Sequence, residues 1–291
     1  MKPAPFAYVR PLSITEAVAV LGEHGSAGRI IAGGQSLGAM LNMRLVTPKV
    51  LIDINRIAGA NSIEKDRTRI RVGATVRQSD ALSHTDLNAT PLIKEALPHV
   101  GHFQTRNRGT ICGSIAHADP SAELPLALLV SDGAVELRSK RGTRIVAADD
   151  FLVSTLTTAR REDEMVVATL WPSAPARSGC AFDEFAIRGG DYAIVAAAAQ
   201  VSLDAPGNIT SIRVGLAGVG ERPILIDTSQ LIGDKPSDGV AEEIMDRARR
   251  SIEPISDMQA SAEYRTHLAG IFARRVFDAA IRRAHQRDDH A

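Results

Sequence analysis

Cysteine is nearly missing from this sequence: Cys112 and Cys180 are the only two. Two thiols cannot supply the four thiolates an iron–sulfur cluster ordinarily takes, nor a disulfide framework. The eight histidines form no HExxH and no His-rich cluster, so no metal site is expected. Neither sign of charge dominates, with 34 Lys+Arg against 34 Asp+Glu. A bulk field that would draw nucleic acid or an anionic membrane is therefore lacking. Long apolar runs are lacking too. The longest, around residues 124–130 and 193–199, fall far short of the roughly 20 residues a membrane helix needs. No membrane insertion is expected, and MKPAPFAYVR at the N-terminus has no apolar core of signal-peptide length. The plain expectation is a cytoplasmic protein.

What is present is an ordinary globular composition, 44% hydrophobic and 23% charged, with length enough for two domains. Ser13-Ile14-Thr15-Glu16 matches a capping box and predicts a helix to about His24, with Ala17, Val18 and Leu21 inward. Residues 29–32 read as a short strand ending in Gly33-Gly34. A helix follows from Gln35 with Leu37, Met40, Leu41 and Leu45 at helical spacing, then a buried strand over 50–54. Residues 63–73 predict a hairpin, and helices follow near 75–83 and 91–97. Asp119-Pro120 suits a helix start, but Pro125 would break a bond five residues later. A tight turn at Asp119-Pro120 with the regular helix starting near Glu123 reconciles the two.

A second hairpin is expected at 134–137 and 143–146, a strand at 164–171, and a Pro-rich linker at 172–176 as the domain boundary. Beyond it, 182–203 holds strands interrupted at Gly189-Gly190, and 209–219 is another strand. Helices over about 240–252 and 257–287 close the chain, the last with Leu268, Ile271, Phe272 and Val276 on one stripe and arginines opposite. A three-stranded antiparallel sheet covered by helices is an α+β layer.

Two stretches stand out. Residues 29–45, RIIAGGQSLGAMLNMRL, run from a short strand through Gly33-Gly34 into a helix. Residues 106–129, RNRGTICGSIAHADPSAELPLALL, form a loop of small residues, an Asp-Pro, then an apolar helix. Glycine lets a backbone approach a ligand closely, and helix starts favour anions. The two loops together suit the pyrophosphate of one dinucleotide. Gly33, Gly34 and Gly38 do not have the spacing of a Rossmann G-x-G-x-x-G, and Ala39 stands where a Walker loop needs Lys. Alone, the first loop is equally an ordinary β-to-α turn.

Taken together, they closely resemble the FAD-binding medium subunit of molybdenum hydroxylases, the family of xanthine, carbon monoxide and nicotine dehydrogenases. The signature A-G-G-x-S-L appears as Ala32-Gly33-Gly34-Gln35-Ser36-Leu37, with Arg44-Leu45 where the family has L-R. T-x-G-G-N/S followed by A-D-P-x-x-E/D appears as Thr110-Ile111-Cys112-Gly113-Ser114, then Ala118-Asp119-Pro120-Ser121-Ala122-Glu123. A third echo, R-x-x-D-Y/F-A, lies in Arg188-Gly189-Gly190-Asp191-Tyr192-Ala193. The resemblance implies a two-subdomain flavin-binding domain of the vanillyl-alcohol oxidase and CO dehydrogenase flavoprotein type. It would span 1–176 (subdomains about 1–55 and 56–176), with a C-terminal domain over 177–291.

By motif, Ala32, Gly33, Gly34, Gln35 and Ser36 with Thr110, Ile111, Cys112, Gly113 and Ser114 would cradle the FAD pyrophosphate. Asp119 would meet the ribityl or diphosphate region and Tyr192 the isoalloxazine, while Ile31, Leu37 and His117 complete the set. Each has a plainer reading: Asp119 as a helix cap, Tyr192 as a strand-edge aromatic, His117 as a hydrogen-bonded loop residue, Glu123 as a complement to a helix dipole. Cys112 stands where the family has Gly. Positive φ there would strain the chain, close contact would crowd the cofactor, and a redox role would want a partner thiol that the sequence does not place nearby.

The resemblance implies an electron-transfer subunit with no catalytic residue of its own. Its partners would be a large molybdopterin-binding subunit and a small 2Fe–2S subunit in a dimer of heterotrimers. The absence of cluster cysteines agrees with that division of labour. A self-contained flavin oxidase or dehydrogenase of the same fold is the alternative, and a scaffold that has lost its flavin a third. No motif names the substrate or the electron acceptor (NAD, O₂ or another carrier).

Overall fold

The computed structural model describes residues 2–288. The chain opens with β1 (Ala7–Val9), α1 (Ile14–His24), β2 (Gly28–Ile31), α2 (Leu37–Asn42) and β3 (Val50–Asp53). β3 lies between β1 and β2 and runs parallel to both. The capping box forms: Ser13 Oγ accepts from the Glu16 N–H at 3.2 Å, and the Glu16 carboxylate accepts from the Leu12 N–H at 2.8 Å. Ala17, Val18 and Leu21 then bury against β3. α2 departs from expectation at both ends. It starts at Leu37, and it stops before Leu45 because Arg44 turns left-handed at φ 56°. Arg44 N–H bonds Leu41 O and Leu45 N–H bonds Met40 O. This is a Schellman stop, with Arg where glycine is usual.

Next come β4 (Ile63–Lys65), β5 (Arg69–Gly73), α3 (Gln78–Ser83), α4 (Pro91–Ala96), α5 (Phe103–Arg108), α6 (Ile111–His117) and α7 (Glu123–Val130). They are followed by β6 (Ala134–Ser139), β7 (Gly142–Ala147), α8 (Ala148–Phe151), β8 (Leu152–Ser154), β9 (Thr157–Thr158) and β10 (Met165–Pro172). Both expected hairpins form, β4–β5 and β6–β7, and β10 joins them antiparallel in the order β4-β5-β10-β6-β7. Seven of the eight β10 residues are buried, as befits a central strand. Its Trp171 indole N–H donates to Thr169 Oγ1 at 2.9 Å.

The stretch expected to be a loop at Thr110–Ser114 is instead the start of α6. Thr110 is its N-cap, Oγ1 accepting from the Gly113 N–H at 3.0 Å. Ala118 ends it with φ 52°, and Asp119 Oδ1 accepts from the Ser121 N–H, forming the expected tight turn. α7 starts at Glu123, so Pro125 is its third residue, where no helical N–H bond is lost. All eight α7 residues are buried, which accounts for a helix apolar on every side.

The last part holds β11 (Ser178–Phe185), β12 (Val195–Leu203), β13 (Ile209–Ala217), β14 (Ile224–Ile226), α9 (Asp238–Arg250) and α10 (Ala262–Asp288). The sheet has four strands in sequential antiparallel order, not three, because β14 adds a short edge. β11 begins at Ser178, earlier than the 182 expected. One face of this sheet shares a core with α4, α6 and α7, where Phe182, Ala196 and Ala198 meet Leu92, Leu126 and Val130. The other face packs on α9 and α10 through Val195, Val214, Phe272 and Val276.

α10 begins at Ala262 instead of near Asp257. Asp257 is used before the helix, accepting from Gln259 and Ala260 N–H and from Arg265 Nη2 at 2.7 Å. Arg265 is itself buried, donating to the Ile194 and Gly218 carbonyls. It is thus a clamp between α10 and the sheet, not part of the solvated arginine face. No helix among the described residues is long and apolar enough to cross a membrane. Nor do they include a group of three or more His, Cys, Asp or Glu able to hold a metal.

β11 and α10 pack backbone to backbone at Gly179, where a Cβ would collide with Ala280 O and lie 2.5 Å from Ala284 N. Gly179→Ala must therefore push a 27-residue helix off its sheet. We expect a loss of about 1–3 kcal/mol or more in urea unfolding, and an unchanged midpoint would show the helix to be loosely seated.

Candidate functional site

The two small-residue stretches meet in space. β2 delivers Ile31, Ala32, Gly33 and Gly34, and Gly34 takes φ 72°. A Cβ on Gly33 would collide with Arg108 O and stand 2.8 Å from Gly109 Cα. The residues just ahead of Thr110 therefore lie directly on the first loop, backbone to backbone, and only glycine permits that approach.

Side chains from three elements hold the contact. Asn55 Nδ2 donates to Ala32 O at 2.8 Å. Arg77 donates through Nη2 to Asn55 Oδ1 at 2.6 Å and through Nη1 to Arg108 O. Asn55 is fixed in turn by Asp53, whose Oδ1 accepts from both Asn55 nitrogens, while Asp53 Oδ2 accepts from the Tyr8 hydroxyl. The strap runs Tyr8–Asp53–Asn55–Arg77–Arg108 and ties both loops to one frame. Burial, and then the charge of Arg108, hold the Arg77 pKa below its ordinary value.

Around this junction opens a cleft of about 640 Å³. Fourteen of the fifteen residues expected at the site line it: Ile31 to Leu37, Thr110, Cys112, Gly113, Ser114, His117, Asp119 and Tyr192. The exception is Ile111, fully buried in the core beside Ile115. Its place at the start of a helix turns the side chain inward, a consequence of helical periodicity that a loop reading misses. Tyr192 arrives from the β11–β12 connection with Gly190 and Asp191. The hydroxyl pKa of Tyr192 is raised by partial burial and by the charges of Asp119 and Glu123. Burial lowers that of His117.

Cys112 matches none of the three sequence readings. Its φ is not positive, and its Sγ turns away from the cleft toward Val72 O at 3.4 Å and Thr169 Oγ1 at 3.9 Å. Burial pushes the thiol up to about 12, so it is a core hydrophobe and not a redox group. Only its backbone faces the ligand side. Of the first four α6 N–H groups, those of Ile111, Gly113 and Ser114 are bonded to Val76 O, Thr110 Oγ1 and Thr110 O. The Cys112 N–H has no acceptor among the described residues.

Several cleft residues carry no spacing signal. Arg29 and Arg160 line one end with Glu164, whose carboxylate is held low first by the Arg144 fork at 2.7 and 2.8 Å. Leu156 reaches the rim with φ 53°, its N–H bonded to Ala118 O. Gln78, Gly101 and Thr105 form another wall. They come from elements far apart in sequence, so nothing short of the fold brings them together.

Glu123 also lines the cleft while 8% exposed. Burial pushes its carboxyl up to about 7, with Glu184 and Asp119 adding to the rise and its own N–H and His99 opposing it. An acid with a raised folded pKa contributes stability that is full below its unfolded value near 4.5 and is lost as pH climbs to about 7. Glu123→Gln is expected to flatten the pH dependence of ligand-free stability over that window by on the order of 3 kcal/mol. Urea melts at several pH values check this, and an unaltered slope would place the titration elsewhere.

The geometry can now be set beside known proteins. Residues 4–174 match the family described as the FAD binding domain in molybdopterin dehydrogenase, and residues 180–280 the CO dehydrogenase flavoprotein C-terminal domain. The chain is 37% identical to the 6-hydroxypseudooxynicotine dehydrogenase complex subunit alpha of Paenarthrobacter nicotinovorans, over 98% of this chain and 97% of that protein. It is 33% identical to the carbon monoxide dehydrogenase medium chain of Hydrogenophaga pseudoflava, over 96% and 98%. It superimposes on the H. pseudoflava carbon monoxide dehydrogenase structure lacking the Mo-pyranopterin moiety with a TM-score of 0.94, covering 97% and 99% at 33% identity. For quinoline 2-oxidoreductase from Pseudomonas putida 86 the TM-score is 0.92, covering 98% and 99% at 34% identity. With a glycine-bound double loop at its centre and both halves matched in order, the chain belongs to the FAD-binding medium subunits of the molybdenum hydroxylases, and is an oxidoreductase subunit.

Proposed function

We propose that this chain is the electron-exit subunit of a heteromeric molybdenum hydroxylase. It would work beside a large molybdopterin-binding subunit and a small 2Fe–2S subunit, as a dimer of heterotrimers in the cytoplasm. When bound, FAD supplies the redox chemistry, accepting electrons from the partner's clusters and releasing them to an external acceptor. We take residues 1–176 as the flavin-binding domain, with subdomains of about 1–55 and 56–176, and 177–291 as the C-terminal domain.

The observation that carries this reading is the backbone contact of Gly33 with Arg108 and Gly109. It sets the two loops side by side, so Ala32 to Ser36 and Thr110 to Ser114 can grip one diphosphate. The N–H groups of Gly34, Gln35 and Ser36, like that of Cys112, have no acceptor among the described residues. They are the donors available to phosphate oxygens. Asp119 and His117 would flank the ribityl side and Tyr192 the ring. Cys112 contributes its N–H and keeps its thiol in the core, which is how a cysteine serves where the family has glycine.

Two substitutions test the cradle. Gly33→Ala drives a methyl into the second loop and is expected to weaken FAD binding about tenfold or more, read by flavin fluorescence titration. Cys112→Gly keeps FAD, because nothing it removes faces the cleft, while destabilising the chain by about 1 kcal/mol or more through the buried thiol it deletes. Loss of flavin in that variant would mean the thiol is in the site after all. For the electron path, the purified complex should show substrate bleaching the flavin only when the 2Fe–2S subunit is present. A chain that oxidises a small organic substrate by itself would overturn the subunit reading.

A further inference from the structure

We propose that the Gln78 carboxamide is a binding group for the cofactor's diphosphate, an assignment that rests on the flavin reading above. Gln78 is the first residue of α3 and lies outside all three sequence signatures. It is 3% exposed, and what remains accessible lines the cleft. Its Oε1 is sealed from solvent with no donor. A buried amide oxygen without a partner is costly, and an apolar residue of the same size would fill this space without that cost.

The position is what gives the carboxamide a purpose. Gln78 N–H donates to Gly109 O at 3.0 Å, fixing α3 to the second loop. The end of the side chain then lies against Gly109: a Cβ there would stand 2.6 Å from Oε1 and 3.0 Å from Cδ. Gly109 Cα is also 2.8 Å from where a Gly33 Cβ would stand. The amide thus sits over the point where the two diphosphate loops touch. Oε1 is the sealed end, so the NH₂ is the end of the amide left to the cleft. With the NH₂ end presented to the cleft it donates to a phosphate oxygen, an acceptor the protein itself does not offer there. Gly109 is bare so that this side chain can lie against it, a second reason for glycine beyond the contact with Gly33.

The test compares Gln78→Leu and Gln78→Glu with the wild-type chain. Three quantities are read: FAD affinity of the flavin-depleted chain, ADP affinity by competition, and the Tm of the flavin-depleted chain. Gln78→Leu is expected to weaken FAD and ADP alike by about ten- to a hundredfold, a charge-assisted hydrogen bond lost, while leaving Tm unchanged or raised. Gln78→Glu weakens both further, because a carboxylate faces the diphosphate. Unchanged affinities in Gln78→Leu would overturn the proposal, as would affinity lost only in step with a falling Tm, the mark of a structural role. Loss of FAD binding with ADP untouched would place the amide against the ring and overturn the diphosphate assignment. A wild-type chain that takes up no FAD would refute the flavin reading itself, a different failure from wild type and variant binding equally.

Discussion

Everything in the cleft hangs on a backbone contact between residues 75 positions apart. Gly33 and the Arg108-Gly109 peptide touch because neither glycine carries a side chain, and the contact is held by the Asn55–Arg77 strap. The carbonyl oxygens of Ala32 and Arg108 both accept from that strap, so the two loops are held by their acceptors. A pair of loops separately anchored could drift apart by an ångström and lose a shared anion. Here the same arginine fixes both through donors in one rigid plane.

The strap also couples the two sheets. Asp53 ends β3 of the parallel sheet and Asn55 follows it, whereas Arg77 leads into α3 beside the five-stranded sheet. The four-stranded sheet is attached differently, through a common apolar core with α4 and α7, and it brings Tyr192 to the cleft mouth. Polar bonds thus set the two glycine loops, where directionality matters, and apolar burial sets the third wall, where area suffices.

A buried cysteine and a buried glutamine illustrate how differently two cleft residues can be spent. Cys112 faces inward and could be exchanged for another small residue with modest effect on the ligand. Gln78 has an oxygen the protein leaves without a donor, a local flaw of the kind that concentrates at functional sites.

Much of the architecture was legible from residues alone. The capping box, both hairpins, the start of α7 at Glu123 and the two amphipathic closing helices all follow from local pattern, because local pattern is where capping, turn chemistry and periodicity act. The boundaries that shifted were those set by distant partners: Asp257 was taken by Arg265, and β14 needed β13 to exist as a strand. For the site, the sequence determined which glycines and hydroxyls are present and in what order, and that order marked the family. It could not show that Thr110 caps a helix, which sends Ile111 and the Cys112 thiol inward, nor that Asn55, Arg77, Gln78, Arg160 and Leu156 converge on one cleft. Those placements depend on contacts across 20 to 130 residues of chain, and only packing of the three sheets fixes which backbone faces which, because side-chain direction and close approach are properties of space and not of order along the chain.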